Sequence, residues 1–77
     1  MNSINQKIGA ALKTQREASG LSVIELAKAS GVTKTTIYRI ESGEFLPNTL
    51  LLWKIANSLS CEIQIINVDN KNILNNL

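Results

Sequence analysis

Apolar residues along the chain fall into four helix-spaced groups, each bounded by residues that start or stop helices. From Ile4 onward, Ile8, Ala11 and Leu12 recur at helical spacing, with Lys7, Lys13 and Arg16 off that stripe, until Ser19 and Gly20 end the pattern. A first helix is predicted there. Ser22 opens the run SVIE, in which its hydroxyl can accept from the Glu25 amide while the Glu25 carboxylate reaches back. A capping box of this kind stabilises a helix start by about 1 kcal/mol. The second helix begins at that point, turns Leu26 and Ala27 inward, and stops at Ser30-Gly31, since glycine adopts the left-handed conformation at little cost. Thr33 caps a third helix running to about Ser42, with Gly43 as its stop. After the loop EFLPN, Asn48 or Thr49 caps a fourth, in which Leu52, Ile55, Ala56 and Leu59 form one stripe while Leu50, Leu51 and Trp53 fall outside it.

Beyond Leu59 the period changes. The run CEIQIINVD is rich in β-branched residues and too short for a normal helix, which predicts a strand over residues 62–68. No other segment reads as a strand, so its ladder groups need a mate, and a symmetric copy from a second subunit is the simplest one. The expected fold is therefore mainly α: a compact, four-helix bundle-like helix-turn-helix domain over residues 1–60, a dimerisation strand over 61–69, and an Asn-rich tail, 70–77, expected to fray. Leu50, Leu51, Trp53, Ile63 and Ile65 form the expected homodimer interface, an apolar patch beside an unpaired edge. The competing use of the helix-four residues is to thicken a small core; size favours the dimer, because a chain of 77 residues gains much from any further burial.

Composition narrows the chemistry. A hydrophobic share of 44% with one Phe, one Trp and one Tyr implies a folded domain with an aliphatic core. The net charge of +2 permits nucleic-acid binding without demonstrating it. With no histidine and a single cysteine, Cys61, neither an internal disulfide nor a His-dependent catalytic pair can form, and no metal site or cofactor is expected. Cys61 reads as a small apolar residue. The polar residues include no clustered carboxylates and no nucleophile–base pair, so an enzyme is not expected. The start MNSINQKIGAALK lacks a basic segment followed by a long apolar run, and no window approaches the roughly 18 apolar residues of a membrane span. A cytoplasmic protein with no membrane partner is the expectation.

A helix-turn-helix needs a small residue where its helices cross, a glycine at the corner and a branched apolar residue packing the second helix on the first. Ala27, Gly31 and Ile37 supply these in order, and Leu26, Val32 and Ile40 occupy the adjoining inward positions, so residues 23–42 carry the whole apolar skeleton. Beyond that skeleton, LKTQREASGLS, ELAKASGVTKTTIYRIESG and LLWKIANSL after a proline resemble the phage-repressor-like family, also called the Cro/repressor or xenobiotic-response-element type. The resemblance covers roughly residues 8–59. It implies a DNA-binding transcriptional regulator, most simply a dimeric repressor on an inverted-repeat operator, with helix three in the major groove of double-stranded DNA. It also implies that Arg16 and Glu41 form a buried structural pair. Where members of that family often carry Gln at the first position of helix two to contact a phosphate, this chain has Val23.

On helix three, Ile37 and Ile40 point inward while Lys34, Thr35, Tyr38, Arg39 and Ser42 fall outward. The resemblance assigns base reading to Thr33, Lys34, Thr35 and Arg39. Arg or Lys can donate to guanine O6 and N7, and a threonine methyl can pack on thymine. Ser22, Tyr38, Ser42 and Gly43 are the candidate contacts to the DNA backbone. An ordinary solvated face is the default for exposed charged residues, and for Ser42-Gly43 a plain helix stop is the equal alternative. The run ANSLSCEIQIINVD resembles the end of HipB-type antitoxins, which implies a toxin, such as a kinase, as a further partner. The rival to DNA binding is a protein-interaction module that neutralises such a toxin without touching DNA.

Overall fold

Every helix starts at a polar side chain that takes up one of the amides the first turn leaves unpaired. The structure, a computed structural model, describes residues 3–64 and comprises α1 (Ile4–Ala18), α2 (Val23–Ser30), α3 (Lys34–Glu41) and α4 (Thr49–Ser58). Ser3 accepts from the Gln6 amide and Gln6 reaches back, a capping box that the apolar pattern did not reveal. Ser22 and Glu25 make the second box, Thr33 accepts from Thr36, and Asn48, rather than Thr49, accepts from Leu51.

Three helix ends share one construction. After α1, α3 and α4 the chain turns through a left-handed residue, at Gly20 (φ 74°), Gly43 (φ 83°) and Ser60 (φ 56°). In each case the next amide returns to a carbonyl one turn back: Leu21 to Arg16, Glu44 to Arg39, and Cys61 to Ala56. Ser60 alone of these has a Cβ in that conformation.

The core collects Leu12 from α1, Val23 and Leu26 from α2, Val32 from the turn, Ile37 and Ile40 from α3, and Ile55 and Leu59 from α4. Leu26, Ile37, Ile40 and Ile55 are fully buried, and truncating any one to alanine should cost about 2–5 kcal/mol. α3 packs on both α1 and α2, and α4 packs on α2. The aliphatic core is thus built around the crossing of α2 and α3.

The structure departs from the apolar pattern on α1 and α4 and in the predicted strand. Ala11 is exposed, and Gly9 takes the inward place on α1. The Ile40 carbonyl comes so near that a Cβ at Gly9 would lie 2.1 Å from it, closer than any side chain allows. Val23, at the first position of α2, is a core residue. Leu51 packs against the core, whereas Leu50 (62% exposed) and Trp53 (55%) do not. Glu62, Ile63 and Gln64 form no strand, because among the described residues there is no second strand to accept their ladder bonds. The rest of the predicted strand, Ile65 and the 70–77 tail lie outside the described residues. Among the described residues no helix is long and apolar enough to cross a membrane, and none of His, Cys, Asp or Glu gather in a group able to hold a metal ion.

Candidate nucleic-acid interface

The side of α3 opposite the core is polar and open. Ile37 and Ile40 anchor the helix at 1% exposure each, which turns Lys34, Thr35, Tyr38 and Arg39 to the surface, two adjacent pairs one helical turn apart. Lys34 lies in the first turn and Arg39 in the last. A helix face of this size fits the width of the DNA major groove, about 12 Å, with donors at both ends.

The four residues assigned to base reading do not have equal freedom. Lys34 and Thr35 make no side-chain hydrogen bond within the described residues. Thr33 does: its hydroxyl accepts from the Thr36 amide at 3.2 Å and is hydrogen-bonded with the Thr36 hydroxyl at 2.9 Å, either of the two donating. That hydroxyl holds the start of α3, leaving the methyl group as the part of Thr33 free for a thymine. Arg39 places its guanidinium over the Phe45 ring, 5.5 Å from the centroid.

Backbone-contact candidates are similarly constrained. The Ser22 amide donates to Glu25 at 2.9 Å and its hydroxyl accepts from the Glu25 amide at 3.1 Å. The bond from the Ser22 amide, and after it the nearby Ser22 hydroxyl, hold the Glu25 carboxyl below its ordinary pKa. An ionised carboxylate at the start of α2 complements the helix dipole but competes with a phosphate for the same amides. Ser42 donates its hydroxyl to the Arg39 carbonyl at 3.0 Å. Gly43 donates its amide to the Ile40 carbonyl and faces α1, where an added Cβ would meet Gln6 Cγ at 2.7 Å. Its place is explained by the helix end and by that approach. Tyr38 is open, at 55% exposure.

Behind the face, Arg16 Nε donates to Glu41 Oε2 at 2.7 Å and Nη2 to Oε1 at 3.0 Å, while Nη1 donates to the Leu21 carbonyl at 2.8 Å. This two-pronged pair joins the last turn of α1 to the end of α3, with both side chains about nine-tenths covered. Hydrogen bonding to Glu41 raises the Arg16 pKa, so the guanidinium stays charged. Phe45 escaped the sequence reading altogether; its single signal was an aromatic residue in a loop beyond the helix end, and neither spacing nor periodicity linked it to Arg39.

Residues 12–66 match the HTH_3 helix-turn-helix family. The chain belongs to that family. Among its relatives is the ImmF control region 10 kDa protein of Bacillus phage phi105, 34% identical over 61 residues, which cover 79% of this chain and 68% of the phage protein. The HTH-type transcriptional regulator SutR of Escherichia coli (strain K12) is 37% identical over 60 residues, 78% of this chain; the match spans about a third of SutR, 34%. Among solved structures, the clp gene regulator ClgR of C. glutamicum superposes with a TM-score of 0.78 at 27% identity, covering 80% of each chain. This HTH_3 domain therefore shares its fold and family with transcriptional regulators.

Proposed function

We propose that the protein is a sequence-specific, dimeric DNA-binding repressor that lays α3 in the major groove and α2 across the backbone. The observation that carries this reading is the outward face of α3, where Lys34, Thr35 and Arg39 are exposed on a helix whose other side is locked into the core. Thr33 adds its methyl, and the exposed residues Tyr38, Ser22 and Ser42 are the proposed contacts to the backbone. The test is a gel shift or anisotropy titration on the DNA upstream of the protein's own reading frame. Arg39→Ala should weaken specific binding by about 1–3 kcal/mol with the fold intact. Unchanged affinity would remove Arg39 from the reading set.

The dimer is supported by the apolar surface of Leu50, Trp53 and Ile63 (39% exposed), which one subunit leaves uncovered. Half-sites of an inverted repeat would then lie about 34–36 Å apart, or a multiple of that. Trp53→Glu should dissociate the dimer in sedimentation runs and lower operator affinity; a wild-type protein that sediments only as monomer at micromolar concentration removes the dimer.

The same surface supports a second reading, an antitoxin or adaptor module. Trp53, Ala56, Cys61 and Ile63, together with the polar Asn57, Glu62 and Gln64, line an open cleft of about 390 Å³ that a side chain of a toxin, such as a kinase, could enter. Salt separates the two readings. DNA affinity falls steeply as released counterions are paid back by added salt, whereas an apolar protein contact changes little.

A further inference from the structure

We propose that Phe45, in the loop between α3 and α4, is a positioning residue that holds the Arg39 guanidinium ready for its DNA contact. The inference rests on the DNA-binding reading and assigns to that surface a residue outside the recognition helix. Arginine stacks on an aromatic ring through its flat face, which leaves the N–H groups along its edge free to donate. Arg39 is placed for such a contact: its guanidinium carbon lies over the Phe45 ring, 5.5 Å from the centroid, and among the described residues its side chain donates to no acceptor. A long side chain otherwise free to sample many rotamers is thereby restricted before it meets a base, so less freedom is lost on binding.

The ring itself is held from two directions. Phe45 is half-buried against the core cluster. Its amide, and that of Glu44, donate to the carbonyl of Arg39 at 3.1 and 2.9 Å, and the Ser42 hydroxyl donates to the same oxygen. The loop thus folds back onto the residue whose side chain it supports. Ring and guanidinium keep their relation because the backbone between them is closed by these bonds.

The experiment combines proton NMR of the free protein with operator titrations of Phe45→Leu, Phe45→Tyr, Arg39→Ala and the double variant Phe45→Leu/Arg39→Ala. In the wild-type protein the Arg39 side-chain protons should resonate upfield of their unstacked positions. Phe45→Leu should lose that displacement and weaken operator binding about two- to fivefold, the range an exposed cation–π contact supports. Phe45→Tyr, which retains the ring, should keep both. In the Arg39→Ala background, Phe45→Leu should have no further effect on binding, which a purely structural role for the ring would not produce. The proposal is overturned by unshifted Arg39 protons, which the wild-type protein alone can reveal even if Phe45→Leu fails to fold. It is equally overturned by a Phe45→Leu loss of the same size with and without Arg39, or by tighter binding of Phe45→Leu, which would mean that the ring withholds the arginine. A wild-type protein that keeps the ring-current signature yet binds no duplex removes the DNA reading and this role with it, while locating the failure in the former.

Discussion

Replacing Gly9 by alanine sets two physical effects against each other. Gly9 lies inside α1, and helix propensity alone makes Gly→Ala stabilising by about 1 kcal/mol. The packing of α1 on α3 opposes that gain. An added Cβ would stand 2.1 Å from the Ile40 carbonyl oxygen and 3.0 Å from that of Glu41, where ordinary contact begins at 3.4 Å. The two backbones must part by more than about 1 Å, and neither atom belongs to a side chain that could rotate away. Overpacking of this kind costs about 1–3 kcal/mol where side chains can yield, so a clash between backbones belongs at the upper end. Displacing Glu41 also strains its pair with Arg16. The net expectation is a loss of about 2 kcal/mol or more, which in a domain of this size lowers the melting temperature by roughly 8–16 °C. Thermal and urea unfolding of wild type and Gly9→Ala, followed by circular dichroism, give the answer directly. A variant as stable as wild type, or more stable, would refute the close approach of α1 and α3, because propensity would then have prevailed.

The remaining expectations concern the same scaffold. Glu41→Ala strands a buried guanidinium and should cost about 3–5 kcal/mol in urea unfolding, whereas Arg16→Met combined with Glu41→Leu should recover most of it; equal losses in the two would show that the pair is more than a matched set of charges. Ser60→Gly should stabilise by about 0.5–1 kcal/mol, because it relieves a Cβ in the left-handed conformation. A loss there would mean that the end of α4 is held by something other than its backbone geometry. The lowered pKa of Glu25 makes its stabilisation present above the unfolded carboxyl value, near 4.3, and lost as pH falls through the folded value. The advantage of wild type over Glu25→Gln should therefore shrink between neutral pH and pH 3 in urea titrations, and a gap that stays constant would contradict the assignment.

Much of the helical plan was legible because helix ends are local events. Ser22 with Glu25, Thr33 with its glycine stop at Gly43, and the cap at Asn48 each declare themselves within a few residues. So did the inward pair Ile37 and Ile40, and with it the outward face of α3. What stayed hidden depends on segments distant in sequence. Gly9 is small because of a carbonyl on another helix, and the stripe rule that chose Ala11 cannot register a missing side chain as a contact. The valine at position 23, where the resembled family often has a phosphate-contacting Gln, is accounted for only once α2 crosses α3 and turns it into the core. Phe45 reaches Arg39 only after α3 has ended and the loop has doubled back. The β-rich run after Leu59 has strand propensity, but a strand also needs a neighbour, and propensity does not supply one.

Gly9 and the Arg16–Glu41 pair both fasten α1 to the C-terminal half of α3, from the side away from the exposed face. The orientation of α3 is thus fixed from behind, while Lys34 and Thr35 bear none of the packing and Arg39 rests over the Phe45 ring. Lys34 and Thr35 can change identity without altering how the helix is held; Thr33 cannot, since it also caps α3, and a change at Arg39 gives up its place over Phe45. On the proposed DNA-binding reading, variation toward a new operator is therefore open at Lys34 and Thr35 and penalised at Thr33 and Arg39, so new specificities can arise at the first two with little loss of stability. The converse also holds: a substitution on α1 can tilt the whole outward face of α3 and, on that reading, weaken every DNA contact together.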